Sequence, residues 1–402
     1  MESTWTNLKA PAFDELLGLC LRGERWSGEL LASALDLDEG RTFLSRVIER
    51  LGDLFEPRLC ETYRALFSDA IARACPELLS RLRPRRAWNR APGAAERVYV
   101  LSRITLGADV AVTSVLLDAA KRRYPDAEIL FVGPQKNYEL FQADPRLRHL
   151  PAPYPRGGAL RDRLRASASL WFEDGLVIDP DSRLTQLGLI AVCPESNYLF
   201  FESRSYGGGA QDELRDARLP DLAARWASET IGVDQAHPYI APLPSRDAPA
   251  DITVSLGVGE NPAKRLGDDF ERELLRELSE TGASILVDKG GTEEERRRVE
   301  SALPRGMRTH DGSFAPFAAQ IARSRLFIGY DSAAGHVASA CGVPQIAIMN
   351  GFASERTLAR WRPNGAILRG DEGNVLEKAK RAISAAIPCG PAANKRIPPC
   401  HR

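Results

Sequence analysis

The chain has 402 residues, 44% of them hydrophobic and 27% charged, with 54 basic side chains balanced by 54 acidic ones. That length exceeds one ordinary core and suits two or three domains. Zero formal net charge argues against nucleic acid as the main partner, because such proteins carry a basic excess.

No apolar run approaches the roughly 18 uncharged residues that a transmembrane segment needs. The N-terminus MESTWTNLKAPAFDELL carries acids and lacks a basic stretch followed by an apolar core, so it does not read as an export signal. The expectation is a cytoplasmic protein, at most peripheral to the inner face of the membrane. Cysteines at 20, 60, 75, 193, 341, 389 and 400 form no C-x-x-C pair, which leaves scattered reduced thiols and no standard metal spacing.

Residues 1–83 place apolar residues three and four apart in FDELLGLCL, GELLASAL, RTFLSRVIERLGDLF and LCETYRALFSDAIARA, the period of amphipathic helices. With the linker-like RLRPRRAWNRAPGAAE of residues 81–96, they define a helical accessory domain over 1–92. Its apolar stripes need a covering surface, so acceptor docking or self-association into a homo-oligomer is expected of it.

From Val98 the pattern becomes strand and helix in alternation: VYVLSRI, a helix from Asp109 to Tyr124, AEILFVG, GLVIDP and NYLFFES. After a proline-rich break at 242–249 the scheme repeats. DITVSLGV, helix 268–281, ASILVDKGG, helix 292–303, MRTH, helix 314–323, LFIGYD, helix 332–341 and PQIAIMN follow one another. Alternation of this kind predicts parallel sheets with helices on both faces. Two facing doubly wound domains result, 93–246 and 247–387, followed by a flexible tail over 388–402. Ligands in such sheets bind beyond the carboxyl ends of the strands, which places the site in an interdomain cleft.

Three turns at those strand ends carry chemistry. Gly107 permits a close backbone path, and Asp109 stands where a carboxylate caps the next helix or accepts a proton from a hydroxyl. In SLGVGENPAKR, Gly257 and Gly259 let backbone amides approach a ligand, Asn261 lies in the same turn, and Lys264 brings positive charge. The incomplete glycine pattern disfavours a nicotinamide cofactor. In DKGGTEEE the acids at 293–295 suit a helix start, and Glu294 is a candidate for ribose hydroxyls. In YDSAAGHVASACG, Asp331 and Ser332 precede a helix whose amides face an anion, with Gly335 in its first turn and His336 about one turn in. Arg103, Arg204, Tyr206 and the glycines at 207–209 are candidates for an acceptor loop.

The segments SRITLGADVAVTSVLLDAAKRRYPDAEILFVG, GENPAKR and DSAAGHVASACGVPQIAI resemble, in order and spacing, the signature regions of the ADP-heptose:lipopolysaccharide heptosyltransferase family, inverting glycosyltransferases of the GT-B fold. The resemblance covers about residues 97–370 and not the helical domain. It implies an α/β, GT-B-like fold of two facing Rossmann-like domains, an acceptor domain and a nucleotide-sugar donor domain, with the N-terminal all-α domain as an addition. It also implies Asp109 as catalytic general base, Lys264 on the donor phosphate, and Asp331, Ser332 and His336 around the diphosphate and sugar.

Ala108 separates Gly107 from Asp109 where the family has Gly-Asp, and Leu266 replaces a frequent tryptophan. The function expected is transfer of a heptose or hexose from a nucleotide diphosphate sugar to a hydroxyl on a glycan, lipid, protein or small molecule, with no metal or other cofactor. The alternatives are a catalytically inactive interaction protein of the same fold and a nucleotide-sugar epimerase.

Overall fold

A computed structural model describes residues 10–83, 89–206, 214–259 and 261–387. The glycines at 207–209, Glu260 and the expected tail with Cys389, Cys400 and His401 lie outside the described residues.

The N-terminal part is helical: α1 (Ala10–Arg22), α2 (Gly28–Asp36), the run α3 (Arg41–Phe43), π turn Leu44–Ile48 and α4 (Glu49–Asp53), then α5 (Pro57–Ala74). Ser27 starts α2 by accepting a bond from the Leu30 amide, and Pro57 sits where a missing N–H costs nothing. The apolar stripes read from the sequence meet in one core around Phe13, Leu16, Phe43, Leu66 and Phe67. That core is shared. Leu160 and Leu164, with Leu187, Leu189 and Ile190, complete it from the neighbouring α/β domain.

The stretch expected as a linker is anchored at its start. Leu82 bridges Ile190, and the buried Arg83 lies over the Tyr198 ring, 3.7 Å from its centroid, and pairs with Glu195. An arginine can be buried this way because its planar head stacks while a carboxylate neutralises it.

The first sheet comprises β1 (Arg97–Leu101), β2 (Glu128–Gly133), β3 (Leu147–Pro151), β4 (Leu176–Asp179) and β5 (Tyr198–Phe200), all parallel in the order β3-β2-β1-β4-β5. Period-2 alternation sends Val98 and Val100 into one core layer and Tyr99 and Leu101 into the other. The edge strand β3 escaped the sequence reading because LRHLP offers too few apolar residues. Its helices are α6 (Leu106–Ala108), α7 (Ser114–Arg123), α8 (Gln135–Tyr138), α9 (Leu160–Ala168) and α10 (Leu219–Trp226). Between α6 and α7 the chain makes a π turn, Asp109–Thr113.

The second sheet is also parallel, in the order β11-β10-β9-β6-β7-β8, built from β6 (Ile252–Ser255), β7 (Ile285–Asp288), β8 (Arg308–His310), β9 (Leu326–Tyr330), β10 (Gln345–Met349) and β11 (Ala366–Arg369). Around it lie α11 (Asp268–Ser279), α12 (Glu293–Ala302), α13 (Phe314–Ile321), α14 (Ala333–Ala340), α15 (Glu355–Trp361) and α16 (Val375–Ala386). The strand order reverses between β1 and β4 in the first sheet and between β6 and β9 in the second, which makes these the ligand-binding edges. One apolar cluster spans the two domains, with Val110, Leu117 and Trp226 on one side and Phe317, Ala334 and Val337 on the other.

Candidate active site

At the switch point of the second sheet, the turn after β6 faces the start of α14. Asn261 accepts a bond from the Ala263 amide and shapes the turn, while Asn350 donates to the carbonyls of Ala263 and Arg265. Lys264, thus placed, pairs with the Asp331 carboxylate at 2.6 Å and donates to the Asp331 carbonyl at 3.3 Å. No side chain caps α14. Ser332 precedes it in extended backbone, and its buried Oγ has no hydrogen-bond partner. The helix therefore presents uncapped amides beside an ammonium group, the arrangement that binds an anion.

His336 lies one turn into α14, 7% exposed, with its ring edge-on to Trp361 at 5.6 Å. Burial lowers its pKa and so does Lys264, against the opposing pull of Asp331, so the imidazole favours its neutral form. Gly335, on the same helix, packs towards the sheet beside Gln345.

The first domain closes on this helix. A Cβ at Gly107 would lie 3.1 Å from His336 Cδ2 and 3.2 Å from Ala333 Cα, so glycine allows the observed approach without the neighbours having to give way. Asp109 lies two residues on, inside the first domain. It is 0% exposed, and its carboxylate accepts four bonds of 2.6 Å each, from Ser102 Oγ, the Arg103 amide, Thr113 Oγ1 and Asn137 Nδ2. Burial raises its pKa and those four donors lower it. A carboxylate has about four lone-pair sites, so none is left for an incoming hydroxyl.

The switch point of the first sheet carries a second polar cluster. Ile104 (φ 75°) and Asp181 (φ 71°), at the ends of β1 and β4, hold left-handed backbone that side chains of their type disfavour, a strain that gathers at functional loops. Asp181 accepts from Ser203 Oγ at 2.7 Å and pairs with Arg204 at 2.6 Å, while Arg103 reaches Ser203 at 2.9 Å and the Pro180 carbonyl. Burial pushes Arg103 down to about 10. Arg183 and Arg163 share Glu49 of α4, and a small polar cavity lies among Glu49, Tyr63, Tyr154, Arg163, Arg183 and Arg204. The sequence reading missed Asp181 and Arg183. Two acids and an arginine in DPDSR after an apolar strand were the available signal.

Other expected residues fall elsewhere. The amides of Val258 and Gly259 are taken by the buried Glu295, at 3.1 and 3.3 Å, and that carboxylate also accepts from Gly291 at 3.0 Å. The loop of Gly257 and Gly259 is thus tied internally, and the neighbouring Glu294 is exposed on α12. Tyr206 bonds Glu229 and packs edge-on to Phe201, which directs it to the helices behind the sheet.

The helical part also reaches the cleft. Arg204 donates to the Gly52 carbonyl at 3.2 Å, and Thr357 on α15 donates to the Asp53 carbonyl at 2.8 Å. Phe55 meets Trp361 edge-on at 6.1 Å. A Cβ at Gly52 would lie 2.7 Å from Arg204 Nε, so this turn is moulded to the arginine. Among the described residues no group of three or more His, Cys, Asp or Glu could hold a metal, and no helix is long and apolar enough to cross a membrane.

The family model for glycosyltransferase family 9 (heptosyltransferase) matches residues 248–385. A glycosyltransferase family 9 structure from Veillonella parvula aligns at TM-score 0.53 with 16% identity, covering 74% of this chain and 99% of that one. The E. coli ADP-heptose lps heptosyltransferase II gives 0.51 with 16% identity over 72% and 98% of the two chains. The E. coli heptosyltransferase WaaC solved with ADP gives 0.52 with 15% identity over 72% and 99%. No curated protein matches the chain. Residues 248–385 thus carry the sequence signature of glycosyltransferase family 9 (heptosyltransferase), and the chain as a whole shares the fold of these solved glycosyltransferases.

Proposed function

We propose that the chain moves a sugar from a nucleotide diphosphate sugar to an acceptor hydroxyl by a single displacement at the anomeric carbon, with inversion. The observation that carries this reading is the convergence of Lys264 and the uncapped start of α14 at the switch point of the second sheet. A diphosphate there takes Lys264 from its internal partner Asp331 and receives the α14 amides and the free Ser332 hydroxyl. As the bond to the sugar breaks, these groups offset charge growing on the leaving phosphate. They supply that positive potential from the protein, and the reading asks for no metal. His336, neutral, contributes a ring N–H or lone pair and not a charge. The acceptor enters from the first sheet, where Arg103, Asp181 and Arg204 line the β1 and β4 ends.

The test is titration calorimetry with ADP, GDP, UDP and dTDP at modest salt. One should bind, and Lys264→Ala should weaken that binding about 10–100-fold, the worth of a hydrogen bond to a charged group. Equal affinity of wild type and variant would remove Lys264 from the site.

A further inference from the structure

We propose that Asp53, from the helical part of the chain, is the proton acceptor for the attacking hydroxyl. This rests on the transferase reading above and assigns a step which that reading leaves without a group. The acids around the cleft differ in what they have left to offer. Asp109 is saturated by four donors, Asp181 is bound to Arg204 and Ser203, Asp331 to Lys264, and Glu49 to Arg163 and Arg183. Asp53 alone among these five reaches solvent with no described residue bonded to its carboxylate.

Its position is fixed from both sides although its carboxylate is free. The Gly52 carbonyl is held by Arg204 of the first domain and the Asp53 carbonyl by Thr357 of the second. Phe55 is locked against Trp361, which in turn meets His336. The side chain is within electrostatic reach of Arg183 and Arg204 towards the acceptor side, and of Lys264 towards the donor side.

Stability does not explain an acid here. Asp53 is the last residue of α4, where the helix dipole opposes negative charge. Crowding by the surrounding walls raises its carboxyl above the ordinary range, with Glu49 adding to the rise and Arg183, Arg204 and Lys264 opposing it. A raised carboxyl is the better base near neutral pH.

In the step, the acceptor O–H gives its proton to the Asp53 carboxylate. The freed oxygen pair forms the bond to the anomeric carbon, and the carbon to phosphate-oxygen bond breaks with its electron pair leaving on the nucleoside diphosphate. The carboxyl then returns its proton to solvent.

The experiment uses the full chain and the ADP-, GDP-, UDP- or dTDP-linked sugar that gives the largest thermal shift. It follows release of nucleoside diphosphate, to water and to a lipid and glycan extract, across pH 5–9. Asp53→Asn should keep the melting temperature and nucleoside diphosphate affinity while lowering turnover about 10²–10⁴-fold and flattening the acid limb of the pH profile. Asp53→Glu should restore part of the rate. Unchanged turnover in Asp53→Asn with intact nucleotide binding overturns the assignment and leaves the donor reading standing. Failure of the wild type to bind any of the four nucleoside diphosphates overturns both.

Discussion

Replacing Asp109 with alanine removes the shared acceptor of four buried hydrogen bonds. The hydroxyls of Ser102 and Thr113 can rotate to other acceptors, but the Arg103 amide and the Asn137 side chain cannot. Each stranded donor costs about 1–3 kcal/mol, so the loss comes to roughly 2–6 kcal/mol. At about 2–4 °C per kcal/mol for the affected domain, the melting temperature should fall by ~5–20 °C. Asp109→Asn should fall in the lower part of that range, because its amide keeps one acceptor oxygen but turns an NH2 towards donors. Scanning calorimetry on the two variants, with donor turnover measured on the same samples, decides the matter. A variant of unchanged melting temperature whose turnover drops 10²–10⁴-fold would refute the structural account and restore Asp109 as the base.

Gly107→Ala places a methyl 3.1 Å from His336 and 3.2 Å from the Ala333 backbone, and should cost about 1–3 kcal/mol of overpacking while weakening nucleotide binding at α14. Unchanged affinity and stability would show that the domains yield there freely. His336 should make folding acid-sensitive. Its folded pKa lies below the unfolded 6.5, so the unfolded state takes up the proton first and stability is lost as pH falls from 6.5 towards the depressed value. Urea titrations of wild type and His336→Gln across that window should show the shallower pH slope in the variant, and parallel slopes would contradict it. Phe55→Ala should cost about 3–5 kcal/mol, because Phe55 is 2% exposed against Trp361. Limited proteolysis should then cut the Gly52–Phe55 turn sooner than in wild type, and an unchanged cleavage rate would place the anchor elsewhere.

The sequence by itself determined the two parallel sheets and the corner where Asp331, Ser332 and His336 share one helix start. Strands such as VYVL and LFIGY carry enough β-branched and aromatic residues to declare themselves, and the D-S-x-x-x-H turn ties Asp331, Ser332 and His336 to one helix start by spacing alone. Lys264 was legible as a charge in a glycine-rich turn, and its pairing with Asp331, 67 residues away, followed from the switch-point geometry. Asp109 shows where local reading stops. Its place after β1 is where the sequence leads one to expect a base, yet the fold buries the carboxylate among four donors.

Edge strand β3 and helix α15 are short, and their burial comes from neighbours distant in sequence. The hold of Glu295 on the amides of Val258 and Gly259, and the place of Asp53 at the cleft, were invisible for the same reason. Helical periodicity shows which face is buried but not against what, and the contacts that bring Gly52 to Arg204 and Asp53 to Thr357 join residues 152 and 304 positions apart. Local patterns carry local structure. Only packing of three distant segments decided which carboxylate stands free in the cleft.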